Sequence, residues 1–568
     1  MTARRAHAYP QVDPRAGGLV DMRVIACPAD VSAAGAVALL QKRSGGALVL
    51  PGRRALVLPE DLARAVTLGL GTLPAAELAR PVPVALAGDP EISVRRRLRA
   101  GAPAVLVIDR FRPIGAIGRA GLGADAVGGP SLVARLRSCL SSDALELLGE
   151  VGRLAEAAGQ RAFAVGGIVR DVLLADGPRG VRPDSRDLDV VVEGDAIAIA
   201  RRIARGRGAT LTVHDSFGTA SIEGLRVGRL DLVTARAERY QSPGALPTVR
   251  PGTILDDLER RDFALNAMAV ELGSGALGLL DPLGGRRDLL RRRIRVLHPL
   301  SFVEDPTRIF RAARYAARLG FALERETLRA QARALRLAPY PALSGARIAA
   351  EIERVLEDAA PAAAFARLGT AGAFRLLDHR LRFSRATAAR VGALPRALEW
   401  MRAHGLAASP LELAVLALVG EQADEVALAG LKRLGFAGEP LARLVRARAG
   451  GPVIAERLAA LSSARPSRRA ALLRDRPPIE LGWAWLRGDR RGRATLDWYL
   501  GEAAGVRAVL GGEELVALGV PRGPAVGRVL GELRDARIDG AARSRADEEA
   551  LVRSWTEGRP DSTERKEG

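Results

Sequence analysis

Ala164-Val-Gly-Gly-Ile-Val-Arg-Asp171 and, shortly after it, Asp187-Leu-Asp189-Val-Val-Val192 are the stretches whose reading decides the fold. Side chains two apart on a strand point to the same face, so Asp187 and Asp189 project together while the valine run packs into a core. Two carboxylates this close repel unless a cation bridges them. Mg²⁺ is the natural hard cation for oxygen ligands shared with substrate phosphates. Two metals at such a pair can activate an attacking hydroxyl and stabilise a leaving pyrophosphate. An isolated Asp-x-Asp is also what a solvated strand end looks like.

The upstream piece changes that reading. Gly166 and Gly167 follow an apolar strand over 163–165 and open a helix near Ile168. Glycines there permit close backbone approach, and a helix N-terminus favours a phosphate. Arg170 falls in the first helical turn, where a guanidinium clamps a triphosphate well. A third acid, Asp231, lies in Arg229-Leu-Asp-Leu-Val-Thr-Ala-Arg236, which alternates like a strand and completes a carboxylate trio if it pairs beside the Asp187 strand.

Three further stretches keep the same order: Asp231-Leu-Val-Thr-Ala-Arg236, Asp257-Leu-Glu-Arg-Arg-Asp-Phe-Ala-Leu-Asn-Ala267 and Glu304-Asp-Pro-Thr-Arg-Ile-Phe-Arg-Ala-Ala-Arg314. With the two opening segments they resemble the head and neck of the class II tRNA nucleotidyltransferase and bacterial poly(A) polymerase family. The resemblance implies that Gly166, Gly167 and Arg170 meet the nucleotide phosphates and that Asp187 and Asp189 bind the metals, with Asp231 as third catalytic acid. It places Arg261, Asp262 and Asn266 at the nucleotide, and Asp305, Arg308, Arg311 and Arg314 on the base-selecting helix. Mg²⁺ is the implied cofactor, ATP and CTP the implied substrates, and a tRNA 3′ acceptor end the implied partner.

The last of these motifs also has a local reading. Asp305 followed by Pro306 is an N-cap with proline at the first helical position. Arg308, Arg311 and Arg314 recur every third residue and share a helix face. An Asp accepts from the exocyclic amine of C or A, while Arg donates to the adjacent ring acceptor. U and G present the opposite pattern, so an Asp305–Arg308 pair admits CTP and ATP.

Composition agrees with such a partner. The 568 residues include 86 Lys+Arg and 65 Asp+Glu, a formal charge of +21 that suits a polyanion. Arginine enrichment of the whole genome is the bland alternative. At 48% hydrophobic and 27% charged the chain reads as globular, long enough for several domains. Cys27 and Cys139 form neither metal spacing nor a disulfide framework, which suits a reducing cytoplasm. No signal peptide is visible, and the longest apolar runs, such as 413–419, fall far short of the roughly 20 residues of a membrane span. The five histidines stand singly, without a catalytic grouping.

The expected organisation is multidomain α+β. Residues 1–20 read as a flexible tail. Residues 21–125 repeat a helix (32–43, then 92–99) and two strands (47–50 and 55–58, then 104–108 and 114–117), with a second helix over 61–68 in the first copy, and resemble a degenerate CBS pair. By that resemblance Asp61 stands where a ribose-binding acid often does, and the pair is a candidate adenosine-nucleotide site and homodimer contact; a scaffold role is the alternative. Residues 126–145 read as a linker and 146–300 as the nucleotidyltransferase head, with a small mixed sheet. Beyond Glu304 the pattern is almost wholly helical: neck (301–365), body (366–450) and RNA-binding tail (451–568), with Pro/Gly breaks near 339–345, 450–452 and 476–478. Trp483, Trp485 and Trp498 read as core fillers. The stretch from Leu510 to Pro524 resembles the family's tail and ends on a tight turn.

The expected activity is template-independent addition of CMP and AMP to the tRNA 3′ end. Poly(A) synthesis is the nearest rival, disfavoured because His214-Asp-Ser-Phe-Gly-Thr-Ala220 replaces an Arg/Phe-rich signature. The repeat points toward the A-adding branch, whose members often carry a DHH domain ahead of it; none is seen here, so full CCA addition stays open. An RNA-binding pseudoenzyme regulated by the CBS pair is a third reading, against which every expected ligand residue is present.

Overall fold

A computed structural model describes residues 15–119, 127–128, 130–175, 187–273, 278–461 and 463–557. The chain divides into two compact units, Met1–Arg347 and Ile348–Gly568.

The first unit opens on β1 (Val24–Ala26), α1 (Ala33–Arg43), β2 (Ala47–Val49), β3 (Ala55–Val57) and α2 (Pro59–Thr67). After a short β4 (Arg80–Pro81) the order returns as β5 (Val84–Leu86), α3 (Glu91–Arg99), β6 (Ala104–Asp109) and β7 (Arg112–Gly118). In each copy the first two strands pair parallel and the last two antiparallel. A parallel pair needs a crossover, and the helix supplies it. The repeat is therefore strand–helix–strand–strand; the leading strands, three residues each, are too short to leave a sequence signal. Both sheets contribute to one core that includes Val49, Leu56, Leu106 and Ala116.

Three expectations for this region change. Residues 15–20 are not a loose tail: Arg15 bridges Pro90, and Ala16 is fully buried beside Ala85 and Val105. Residues 1–14 lie outside the described part. Asp61 does not face a ligand. It is wholly buried and takes Arg80 in a bidentate pair, both contacts 2.5 Å, so the fold itself uses its carboxylate. The span expected as a linker is built into the next domain, through β8 (Val127–Gly128), α4 (Pro130–Cys139) and the start of α5 (Ser142–Ala157).

The central sheet is assembled from β8, β9 (Arg161–Val165), β10 (Asp187–Glu193), β11 (Thr210–His214), β12 (Thr219–Leu225), β13 (Gly228–Thr234), β16 (Ala269–Leu272) and β17 (Gly278–Leu280). Its order is β11-β12-β13-β10-β9-β16-β17-β8, larger than the small sheet expected, and only β10 with β13 runs parallel. Between these strands lie α6 (Gly167–Leu174), α7 (Ala196–Arg207), a hairpin of β14 (Arg236–Arg239) with β15 (Thr248–Pro251), and α8 (Ile254–Glu259). Phe163, Val165, Val191, Ile254, Leu258 and Leu280 form the core under the sheet, each contributing about 1.5–3 kcal/mol on burial.

Local signals set the helix ends. The Asp195 side chain caps α7, and Gly208 at φ +62° closes it. Thr253 and Asp256 form a reciprocal capping box at α8. The chain continues through α9 (Gly285–Leu290), β18 (Arg293–Ile294), α10 (Ser301–Glu304), α11 (Thr307–Leu319), β19 (Ala322–Leu323), α12 (Arg325–Arg336) and α13 (Gly345–Glu357).

The second unit is helical throughout its described residues, from Pro361–Ala371 to Arg545–Glu557. One expected break is absent. The helix Gly438–Ala460 runs straight through Gly450-Gly451-Pro452. Those glycines serve contact: a methyl on Gly451 would lie 2.3 Å from Trp483 Cδ1, and one on Gly450 would collide with Glu480 of the neighbouring helix Pro478–Arg487. Trp483 is fully buried and Trp485 nearly so, as core fillers; Trp498 is only partly buried, with Arg469 over its ring at 5.1 Å. The turn ahead of Pro524 holds Gly519 and Gly523 at φ +96° and +103°. No helix among the described residues is long and apolar enough to cross a membrane.

Candidate active site

The three acids meet where two parallel strands run side by side. β10 alternates Asp187 out, Leu188 in, Asp189 out, Val190 in, and its register sets Asp189 directly opposite Asp231 of β13. Both β10 carboxylates are exposed, and neither accepts a hydrogen bond from a described residue. Asp231 is partly held: its Oδ1 accepts from Ser221 Oγ (2.5 Å) and Arg229 Nε (2.9 Å). Crowding at the strand ends pushes the Asp189 carboxyl up; desolvation acts first, Arg261 opposes it, and Asp231 and Asp187 add repulsion. Two open carboxylates facing a third across the ladder fit a divalent cation whose remaining ligands are phosphate and water. No group of three or more His, Cys, Asp or Glu side chains among the described residues is placed to hold a metal ion by itself, the three acids included.

The glycine pair lies beside this edge. Gly166 has φ +73°, which favours glycine, and precedes the first turn of α6. A methyl built on it would stand 3.0 Å from Arg261 Nη1 and 3.5 Å from Asp189 Oδ2. Backbone, guanidinium and the Asp189 carboxylate thus converge on one spot. On Gly167 the same methyl would be 3.6 Å from Arg170 Nη2.

Arg261 is aimed by an acid that sequence reasoning did not single out. Asp257 is wholly buried and accepts Arg261 Nε and Nη2 at 3.2 and 2.9 Å through Oδ2, and Arg260 at 2.9 and 2.5 Å through Oδ1. Burial alone would raise this carboxyl, but the two arginines hold it below the usual range. Arg261 Nη1 is left at Gly166. The signal was present in the sequence as an Asp four residues ahead of an Arg, a helical pairing distance.

The remaining expected residues form a continuous chain. Arg170 is buried; it donates to Asp171 at 2.7 and 2.9 Å and to Asn266 Oδ1 at 2.8 Å. Asn266 Nδ2 donates to Asp262 Oδ1 (3.0 Å), and Asp262 Oδ2 accepts from Arg311 Nε (2.8 Å). Burial would raise the Asp262 carboxyl, yet Arg311, Asn266 and Arg308 bring it below its ordinary value. Tyr315 lies beneath this chain, with Arg170, Arg311, Arg314 and Arg318 within 5.2–5.8 Å of its ring centre. That tyrosine, and Asp171 as the partner of Arg170, were also missed; nothing in their spacing marked them.

Asp305 and Arg308 are close in sequence and take separate partners. Asp305 falls one residue short of the expected N-cap, since α11 starts at Thr307 with Pro306 as its cap; its Oδ1 accepts from Thr307 N (3.0 Å) and Thr307 Oγ1 (2.6 Å), with Arg347 Nη2 at 2.8 Å. Its Oδ2 accepts nothing from the described residues. Arg308 is buried, donating to Ser301 Oγ (2.7 Å) and the Arg260 carbonyl (2.8 Å). Of the three-residue arginine ladder, Arg308 is tied inward, Arg311 pairs with Asp262, and Arg314 stacks on Tyr315.

Known proteins share the sequence and the fold. The family profile "Poly A polymerase head domain" matches residues 162–295. A CC-adding tRNA nucleotidyltransferase of Deinococcus radiodurans is 35% identical, over 70% of this chain and 90% of the relative. An A-adding tRNA nucleotidyltransferase of Geobacter sulfurreducens is 32% identical over 71% of this chain. The chain spans about half the length of this and the Halalkalibacterium halodurans A-adding relative (46% and 55%). Among solved structures, the Thermotoga maritima CCA-adding enzyme complexed with tRNA superposes with a TM-score of 0.61 at 26% identity, over 75% of this chain and 98% of that one. A CCA-adding enzyme in an apo form gives 0.66 at 27%, with the same coverage. The chain belongs to the class II tRNA nucleotidyltransferase family.

Proposed function

We propose that the chain adds CMP and AMP from CTP and ATP to the 3′ end of tRNA without a template. The observation that carries this reading is the convergence of Gly166, Arg261 and Asp189 on one spot at the open end of the Asp187–Asp189–Asp231 register. Asp187 and Asp189 would hold the divalent cation, which we take to be Mg²⁺, and the cation would supply activation of the attacking hydroxyl and neutralisation of the leaving pyrophosphate. The RNA 3′-oxygen forms a bond to the α-phosphorus as the α–β anhydride bond breaks and pyrophosphate leaves. Arg261, aimed by Asp257, and the Gly166-Gly167 backbone receive the phosphates. Arg170 holds the wall through Asn266 and Asp262. Asp305 Oδ2 is the acceptor for the exocyclic amine of cytosine or adenine, and Arg308 Nε is the complementary donor. The basic helical tail takes the tRNA through shape and phosphate contacts.

Addition of A alone is a second reading, favoured by the A-adding relatives from Geobacter sulfurreducens, Halalkalibacterium halodurans and Aquifex aeolicus. For residues 15–119 we propose a CBS pair, on the strength of the repeated strand–helix–strand–strand order, as a scaffold and homodimer contact. Asp61 takes no part in nucleotide binding there.

The test uses tRNAs ending before CCA, after C and after CC, each with CTP or ATP alone and Mg²⁺. Incorporation of C on the shorter ends and A on the CC end is the expected result. A on the CC end only assigns the A-adding reading, while C without A assigns CC addition. Long A tracts on unrelated RNA, or no incorporation on any tRNA, overturn the proposal.

A further inference from the structure

The first unit contains a cleft of about 890 Å³ between the N-terminal repeat and the end of the head, remote in sequence from the three acids. Its walls come from β4 and the Ala100–Pro103 turn on one side, and from α9, β18 and α12 on the other. Nine arginines line it against four carboxylates. Those carboxylates already have donors. Glu77 accepts from Arg333 and Arg336, Asp288 from Arg295, Glu326 from Arg329, and Glu324 from the Glu326 amide. Arg80 and Arg97 pair with Asp61 and Asp89 outside the lining, and Arg119, Arg287, Arg291, Arg293 and Arg325 have no acid partner among the described residues. Arg119 donates only to backbone carbonyls, Gly101 O (2.6 Å) and Ala102 O (2.8 Å), and Arg287 reaches Ala100 O (2.8 Å).

Gly101 and Gly284 meet backbone to backbone, both at positive φ, and a methyl on Gly101 would collide with Leu283 O. Burial above all, and then Arg80 and Arg295, push Arg119 down to about 10 against Glu259 and Glu60. One wall is apolar, with Pro81, Val82, Val296 and Leu297. In the same wall His298 is buried, and its Nδ1 has no hydrogen-bond partner among the described residues. Such a volume, with a cluster of cations beside an apolar wall, suits a nucleotide-sized ligand.

We propose that this cleft is a second anion site, taking the polyphosphate of a small phosphorylated ligand at the joint between repeat and head. Arg119, Arg287 and Arg291 meet the phosphates. The apolar wall favours a nucleoside polyphosphate, whose base and sugar can cover it, over inorganic polyphosphate, which has neither.

The full-length chain is titrated calorimetrically with tripolyphosphate and, separately, with ATP, in EDTA so that no metal assists the head site. Both are expected to bind, ATP more tightly, and equally well to the chain carrying Asp187→Ala with Asp189→Ala. Arg119→Ala and Arg291→Glu should each weaken binding at least about tenfold. Arg291 is exposed on the rim, so its variant keeps the result interpretable if Arg119→Ala fails to fold. Tripolyphosphate bound as tightly as ATP would keep the anion site and assign it to inorganic polyphosphate. No binding of either, or binding that Arg261→Ala abolishes and Arg291→Glu leaves intact, overturns the proposal. So does Arg291-dependent binding of an RNA duplex with neither small anion bound.

Discussion

The acid end and the arginine end of the active site are built on opposite rules. Asp187 and Asp189 stand exposed at the end of one strand, with no donor among the described residues, and they repel each other and Asp231. Arg170, Arg308 and Asp262, by contrast, are buried, and Arg261 largely so, each held by a named partner. The difference separates ligand from frame. An exposed acid with no hydrogen-bond donor of its own is free to take a cation from solution, whereas a buried charge must be met inside the protein or it destabilises the fold. Removing an acid at the open end should therefore cost chemistry and spare the fold. A cut at the buried end should cost both.

The largest effect is expected at the open end. Replacing Asp187 and Asp189 together by Ala should lower nucleotide incorporation by about a thousandfold or more. The melting temperature should stay within a degree or two, or rise, because a like-charge contact is relieved. Incorporation that survives would mean that these acids do not hold the metal.

Asp257→Ala tests the buried end. It strands two arginines at once, so chemical denaturation should show a loss of about 3 kcal/mol. Incorporation should fall as well, through a raised KM for the nucleotide, since Arg261 loses its aim; restoration by Asp257→Glu of stability but not of KM would show that position matters as much as charge. A variant with full stability would erase the contrast between the two ends.

The smallest effect is a pH dependence at the base of the neck. His298 is buried, which together with Arg64 pushes its pKa down to about 4, against Glu304 and Asp61, which favour its charged form. Between pH 6.5 and 4 the unfolded chain binds a proton at this site that the folded chain refuses, so stability falls on acidification. At pH 6 the loss is about 0.8 kcal/mol. Glu304, brought to about 2 by His298 and Arg64 against its own burial, acts in the same direction below pH 4.5, as the unfolded carboxyl takes up a proton first. Unfolding curves from pH 7 to 5 should slope accordingly, and His298→Gln should flatten them.

Much of the site was legible because its chemistry is written in local spacing. The i,i+2 acids and the glycine pair ahead of a helix each depend on neighbours in the chain, and each emerges where the spacing puts it, while the Asp-Pro cap shifts by one residue. Gly450-Gly451-Pro452 shows the opposite case. Read locally they end a helix; in the fold they let two helices touch, because Trp483 fills the space that side chains would need.

The sequence by itself determined the i,i+2 acids and the glycine turn, since backbone periodicity and φ preference are properties of a few consecutive residues. Only the tertiary structure decided that Asp231 faces Asp189, that Asp257 aims Arg261, and that Asp61 answers Arg80 instead of a ligand. It alone gathered nine arginines from distant segments into one cleft. Charges far apart in the chain acquire meaning only when packing removes the water between them and forces each to find a partner or leave a site open for one.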